Sequence, residues 1–323
     1  MKVVITGGAG FLGRMLTRSL LQRGRLVDRH GSLTAIDRLL LLDQRWDEPF
    51  SDPRVGTISG SVCDRGFVHD LISDEVDSVF HLAAVVSGEA EADFDKGLEV
   101  NLGGTLNVLQ ACRRLAHPPR LVFTSSVAAF GGELPSTIRD TTAATPQSSY
   151  GTQKVVGELL LNDYSRRGFI DGRALRLPTI CVRPGLPNKA ASGFASGIVR
   201  EPIAGVAAVC PVAADTLMWL MSPQTAVANL VHAHELPPAA FGHQRCLNLQ
   251  GLTLRVGDMV EALRSVCGGE TADRVLWRRD PAVEAVIGTW PGRFESARAR
   301  ELGFRTDPDF ESIIRNYLDY RST

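Results

Sequence analysis

Near the start of the chain a short apolar run, Lys2 to Thr6, breaks off at Gly7, and positions 6–13 read Thr-Gly-Gly-Ala-Gly-Phe-Leu-Gly. From Phe11 onward Leu12, Met15, Leu16 and Leu20 recur at helical spacing. A strand that turns through glycines straight into a helix is a narrow solution. Gly7 permits the tight turn, Gly10 lets backbone N–H groups approach a pyrophosphate at the helix N-terminus, and Gly13 allows the helix to pack close to the strand. Gly7, Gly10, Phe11, Leu12 and Gly13 are therefore candidate contacts to a dinucleotide. The bland alternative is a glycine-rich turn with no ligand, and the strand-before, helix-after context weighs against it.

The same alternation continues. Leu33 to Ile36, Ser78 to Leu82, Arg120 to Thr124 and Arg173 to Val182 read as strands; Phe67 to Ile72, Asn101 to Leu115 and Tyr150 to Tyr164 read as helices. This pattern predicts an α/β fold, a Rossmann-type doubly wound parallel sheet wrapped by helices. After Arg183-Pro184-Gly185 the rhythm fails, with helical stretches at Pro223 to His234, Val256 to Val266 and Phe310 to Tyr320. The expected organisation is a dinucleotide-binding domain over 1–184 and a smaller α/β substrate domain over 185–323. A segment near 223–250 is expected to return to the first domain, because Arg245 to Leu249 reads as a strand.

Asp37 ends the predicted second strand, 24 residues after Gly13. An acid there accepts hydrogen bonds from the adenine ribose and repels a 2′-phosphate, which favours NAD. Arg38 beside it keeps NADP open.

Charge narrows the partners: 35 Lys plus Arg against 36 Asp plus Glu give a net charge of -1, with no basic footprint for nucleic acid or an anionic membrane. Six cysteines (Cys63, Cys112, Cys181, Cys210, Cys246, Cys267) contain no CxxC pair and suit a reducing compartment, so the cytoplasm is the expected location. Glycines and arginines interrupt the N-terminal stretch, which does not read as a signal peptide. The apolar stretch Ile203 to Met221 contains Pro211 and Asp215 and falls short of the ~18 apolar residues of a membrane span. His232 and His234 stand two apart on a predicted helix and so face different ways, with no third ligand nearby, and no metal is expected.

Ser126 follows the apolar run Leu121-Val122-Phe123. Tyr150 stands four residues before Lys154, which puts both on one helix face. A phenol is a weak base near neutrality, but an adjacent ammonium favours the phenolate, so this pair suits proton transfer. A Tyr-x-x-x-Lys spacing alone is common on surfaces; the conjunction with the glycine turn and Ser126 is not.

With these motifs in this order, the sequence resembles the extended short-chain dehydrogenase/reductase family, also described as NAD-dependent epimerases and dehydratases. The resemblance covers nearly the whole chain and is strongest over 1–185. It implies that Ser126 holds the reacting oxygen, Tyr150 is the acid/base, and Lys154 binds the nicotinamide ribose and lowers the tyrosine pKa. Ser125 is the lesser candidate of the serine pair. The resemblance further places Asp64 at adenine, Leu82, Ala83 and Ala84 along the cofactor, Asn101 behind the site, and Pro178 and Thr179 beside the nicotinamide and the substrate. Relatives dimerise through the two helices that here carry Leu106, Leu109, Cys112 and Val155, Val156, Leu159, Leu160, so a homodimer is expected.

The sequence departs from the family at Phe130-Gly131, where Tyr-Gly is usual, and after Arg183-Pro184, where Gly-Leu-Pro-Asn-Lys replaces the Tyr-Gly-Pro of nucleotide-sugar enzymes. The segment 221–230 and Trp290-Pro291-Gly292-Arg293-Phe294 look like the branch that oxidises the C2 hydroxyl of a four-carbon sugar acid, D-erythronate. An arginine would then fix the carboxylate. Among Arg176, Arg183, Arg278, Arg279 and Arg293, the expected ones are Arg183 and Arg293, with Ser87 as a further substrate contact; Trp219 is expected to pack in the second domain. The alternatives are a nucleotide-sugar epimerase or dehydratase, which recycles NAD within one turnover, and a catalytically silent NAD-sensing regulator.

Overall fold

The computed structural model describes residues 1–185 and 190–322. Seven strands form one parallel sheet: β1 (Lys2–Thr6), β2 (Arg38–Asp43), β3 (Val55–Ser59), β4 (Val76–His81), β5 (Arg120–Ser126), β6 (Asp171–Leu177) and β7 (Cys246–Asn248). Their spatial order, β3-β2-β1-β4-β5-β6-β7, reverses direction at β1, so that a crevice opens between the carboxyl ends of β1 and β4. Alternate residues serve opposite faces. Val3, Ile5, Val122 and Leu175 pack under α1 (Phe11–Arg23), while Val4, Leu121, Phe123 and Ala174 meet the layer of α2 (Arg65–Leu71), α3 (Thr105–Arg113) and α4 (Ser149–Arg166).

A second hydrophobic core joins Cys181 and Val182 to α5 (Gly193–Ile203), α7 (Val256–Cys267) and α8 (Phe310–Ser322). Between these helices in sequence, α6 (Pro223–Glu235) packs on the main sheet with Leu16 and Leu20, and β7 extends that sheet beside β6. A further return comes at Phe294–Glu295, which pairs with Ile138–Arg139, and at Ala299 and Phe304, which enter the first core.

Two expected strands differ. Leu33–Ala35 pairs antiparallel with Arg25–Val27 as a small hairpin outside the main sheet, and the true neighbour of β1 is β2, a run of four leucines, Leu39 to Leu42. The stretch 173–182 is broken at Pro178: Thr179–Ile180 leaves β6 and pairs with Leu217–Met221 in a second sheet. Proline has no N–H for a ladder bond, which marks the point of transfer.

Candidate active site

The glycine turn shows why those residues are glycines. Gly7 adopts φ +73°, and a Cβ there would lie 2.8 Å from the Ala83 backbone nitrogen. A Cβ on Gly13 would sit 2.2 Å from the Gly7 carbonyl oxygen. The helix therefore starts against the turn itself. Its N-cap, Gly10, offers no side-chain cap, and no acid lies in the first turn, so the N–H groups of that end are available to an anion. Gly7, Gly10, Phe11, Leu12 and Gly13 line a cavity of about 440 Å³ at the carboxyl edge of the sheet. Leu82, Ala84, Pro178 and Thr179 line it further along. Ala83 turns its backbone to Gly7, and its N–H donates to Thr6 Oγ1 at 3.3 Å.

Asp37 is misplaced as a ribose contact. It precedes β2, at the opposite edge of the sheet, where its exposed carboxylate pairs with the Met1 amino group. Arg38 shares that edge and donates to the Pro53 carbonyl. The acid at the carboxyl end of β2 is Asp43, whose Oδ2 accepts from Ala9 N at 2.9 Å within the glycine turn. The hairpin 25–35 lies outside the main sheet, so the strand that pairs with β1 begins after Asp37 and ends at Asp43. The signal for Asp43 was present: an uninterrupted apolar run, as buried parallel strands require, ending in an acid.

Asn101 also changes role. It lies in a π-helical segment, Leu98–Gly104, and is buried; its Oδ1 accepts from Val85 N at 2.8 Å and its Nδ2 donates to Val85 O and to Gln153 Oε1. It positions the loop after β4 and does not line the cavity. Asp64, at the correct edge, caps α2 by accepting from Phe67 N at 3.0 Å.

Ser126, Tyr150 and Lys154 meet in the cavity. Close approach of α4 brings them together: Ser148 caps the helix by accepting from Gly151 N, and a Cβ on Gly151 would lie 2.0 Å from the Ala128 carbonyl oxygen. Gly157 similarly admits Phe123. The Tyr150 phenol and Ser126 line the same stretch of the cavity. Lys154 places its ammonium 4.8 Å from the centre of the Phe123 ring and 5.6 Å from that of Tyr150. Burial pushes the Tyr150 phenol up, and Arg183 and Ser126 pull it back. Burial lowers Lys154 to about 8, against the opposing charge of Glu158. Ser125 also lines the cavity, but its hydroxyl is committed to Glu158.

On the far wall Ser87 lines the cavity and accepts from Ala191 N at 3.2 Å. Arg183 lines it too, held by bonds from Nε to Ile180 O (3.0 Å) and from Nη2 to Ser192 Oγ (3.0 Å). Arg293 does not. Its carbonyl accepts from Ile138 N and its side chain is exposed, because strand alternation turns Phe294 inward onto Trp219, 3.6 Å ring to ring. Trp290 of the same segment faces the cavity instead. Arg176 pairs with Glu158 and Arg279 with Glu284. Ser192, Ser196 and Arg200 of this wall were not anticipated; they belong to α5 and its N-cap, and no local motif marks them. The departure at Leu186-Pro187-Asn188-Lys189 lies outside the described residues. His232 Nε2 donates to Leu302 O, and His234 Nε2 hydrogen-bonds with Ser78 Oγ, so the two face different neighbours.

A crevice at the strand-order reversal, lined by the glycine turn and a Ser-Tyr-Lys set, defines a nucleotide-dependent oxidoreductase or epimerase fold. The chain belongs to the NAD dependent epimerase/dehydratase family, whose sequence model matches residues 3–206. The glycine turn, the uncapped helix end and Asp43 fit NAD. The chain is 54% identical over 319 residues to a D-erythronate dehydrogenase of Cupriavidus necator, covering 99% of this chain and 98% of that protein. It is 45% identical to a D-erythronate dehydrogenase of Haemophilus influenzae, over 99% of both chains. Among solved structures, a nucleoside-diphosphate-sugar epimerase from Agrobacterium tumefaciens superimposes with a TM-score of 0.92 at 42% identity, covering 99% of this chain and 94% of that one.

Proposed function

We propose that this protein oxidises the C2 hydroxyl of D-erythronate, or a closely similar four-carbon sugar acid, to the 2-keto acid with NAD. The observation that carries this reading is full-length identity of 54% to a D-erythronate dehydrogenase together with Ser126, Tyr150 and Lys154 assembled in one cavity. NAD supplies the hydride acceptor. Ser126 and Tyr150 hold the C2 oxygen, and Tyr150 takes its proton, helped by the Lys154 ammonium. Arg183, which lines the same cavity as Ser126 and Tyr150, is the residue assigned to the carboxylate. Cofactor contacts at Asp43 and Asp64 and substrate contacts at Ser87 and Thr179 belong to the same reading.

The second reading, epimerisation of a nucleotide sugar, is favoured by the Agrobacterium structure. Absorbance at the NADH band separates the two. With D-erythronate, net NADH should accumulate and disappear in Tyr150→Phe; interconversion of UDP-glucose without net NADH would replace the first reading by the second. NAD binding with no turnover of either substrate class, unaffected by Tyr150→Phe, would leave a cofactor sensor.

We also infer a homodimer. Leu106 on α3 and Leu159 on α4 are exposed, the latter by 66%, while their neighbours Leu109 and Cys112 are buried. Sedimentation of Leu159→Glu as a monomer beside a dimeric parent would bear this out. Among the described residues no helix is long and apolar enough to cross a membrane. The free thiols of all six cysteines support a cytoplasmic location.

A further inference from the structure

Glu158 repeats the spacing of the catalytic pair: Tyr150, Lys154 and Glu158 follow one another at intervals of four along α4, on one buried face. Glu158 is 4% exposed. Ser125 donates to its Oε1, and Arg176 grips both oxygens, Nε to Oε1 at 2.9 Å and Nη2 to Oε2 at 2.6 Å. Nη1 of Arg176 continues to Asn248 Oδ1 at 3.2 Å. One carboxylate thus ties α4 to β5, β6 and β7, at the residue just before Ser126. Stability alone is a poor reason for such a pair, since well-packed apolar residues do as well in a buried position. Its position behind Lys154 suggests a different one.

Among the described residues the charges around Lys154 are few. On α4 there is Glu158 itself; from β6 comes Arg176, from β7 the neutral thiol of Cys246 against Glu158. His81 of β4 is held uncharged by burial, and Arg183 acts from the Tyr150 side. Among the described residues Glu158, one helical turn from Lys154 and buried with it, is the carboxylate that favours its charged form.

Resting on the reading that Tyr150 and Lys154 perform proton transfer, we propose that Glu158 is a positioning residue for the reaction. It supplies the counter-charge that keeps the Lys154 ammonium charged beside Tyr150, with Arg176 setting how much of that charge Lys154 feels, and it fixes the Ser125–Ser126 strand end. Glu158→Gln removes the negative charge and leaves Arg176 unopposed, whereas Arg176→Met leaves Glu158 unopposed. The two variants should move Lys154 in opposite directions, which a purely structural role would not do.

The chain has four lysines, Lys2, Lys96, Lys154 and Lys189, so the Lys154 signal of ¹³C-lysine-labelled protein can be assigned from its loss in Lys154→Met. The titration midpoint should fall by about one pH unit in Glu158→Gln and rise by a similar amount in Arg176→Met. The alkaline limb of kcat/KM should shift in the same order, with NADH dissociation constants within about threefold of the parent as the sign of an intact cleft. Midpoints that stay together, or shift in the same direction, would overturn the proposal. So would midpoints that separate while the rate profile does not follow. A parent protein that produces no NADH from any hydroxy acid would instead refute the oxidation reading, and the lysine titration would still judge the counter-charge.

Discussion

Replacing Gly13 by alanine sets two effects against each other. In a helix interior alanine is favoured over glycine by about 1 kcal/mol. Against this, the added Cβ would lie 2.2 Å from the Gly7 carbonyl oxygen and 2.9 Å from Gly8 Cα, both backbone atoms that cannot rotate away. Relief to an ordinary contact requires the helix to back off by about 1 Å, and overpacking of this kind costs roughly 1–3 kcal/mol. The clash wins, and it moves the N–H groups proposed to receive the pyrophosphate; displacement by 1 Å in a binding geometry can cost about 10²-fold. Gly13→Ala should therefore melt several degrees lower and bind NAD ten- to a hundredfold more weakly by fluorescence titration. Gly197→Ala is the matched control: in α5 its Cβ would meet only the Glu201 side chain, at 3.6 Å, and it should gain about 0.5–1 kcal/mol. Equal melting temperatures and NAD affinities for Gly13→Ala and its parent would refute the packing argument.

Asp43→Ser should narrow the preference for NAD over NADP by at least tenfold in kcat/KM, while Asp37→Ser should leave it unchanged; the two variants assayed with both cofactors decide between the strand edges. Lys154, lowered to about 8 from an unfolded value near 10.5, makes the folded state pay for a buried charge below pH 8. That cost, roughly 3 kcal/mol at most, shrinks as pH rises from 8 towards 10.5, so Lys154→Met should melt higher than its parent at pH 7 and the gap should narrow at pH 9.5, with activity lost throughout. His81, buried between Thr6 and Thr105 and pushed down to about 3, works at the acid end. Its neutral form favours the fold above pH 6.5, and that contribution, of order 4 kcal/mol, fades as pH falls from 6.5 to 3; denaturant titrations of His81→Gln across this range should show a shallower acid loss.

Where the candidate site is built from neighbours along the chain, the sequence carries its geometry. The turn from Gly7 to Gly13 needs three glycines within seven residues, and the Tyr150–Lys154 pair needs one helical turn, so both could be read from spacing. The alternation of strands and helices likewise gave the parallel sheet, and Arg245 to Leu249 announced the return of β7. Tertiary structure decided whatever depends on which strands become neighbours. The hairpin 25–35 moved the second sheet strand beyond Asp37, and only pairing with β1 shows that Asp43 reaches the glycine turn. Strand alternation beside Ile138 sent Arg293 outward and Phe294 inward, leaving Arg183 in the cavity. Glu158 meets Arg176, 18 residues on, and Ser125, 33 residues back, through packing of α4 across β5 and β6. Local spacing is fixed by backbone geometry within one element, whereas these partnerships arise from the collective burial of two sheet faces, which no single stretch of sequence encodes.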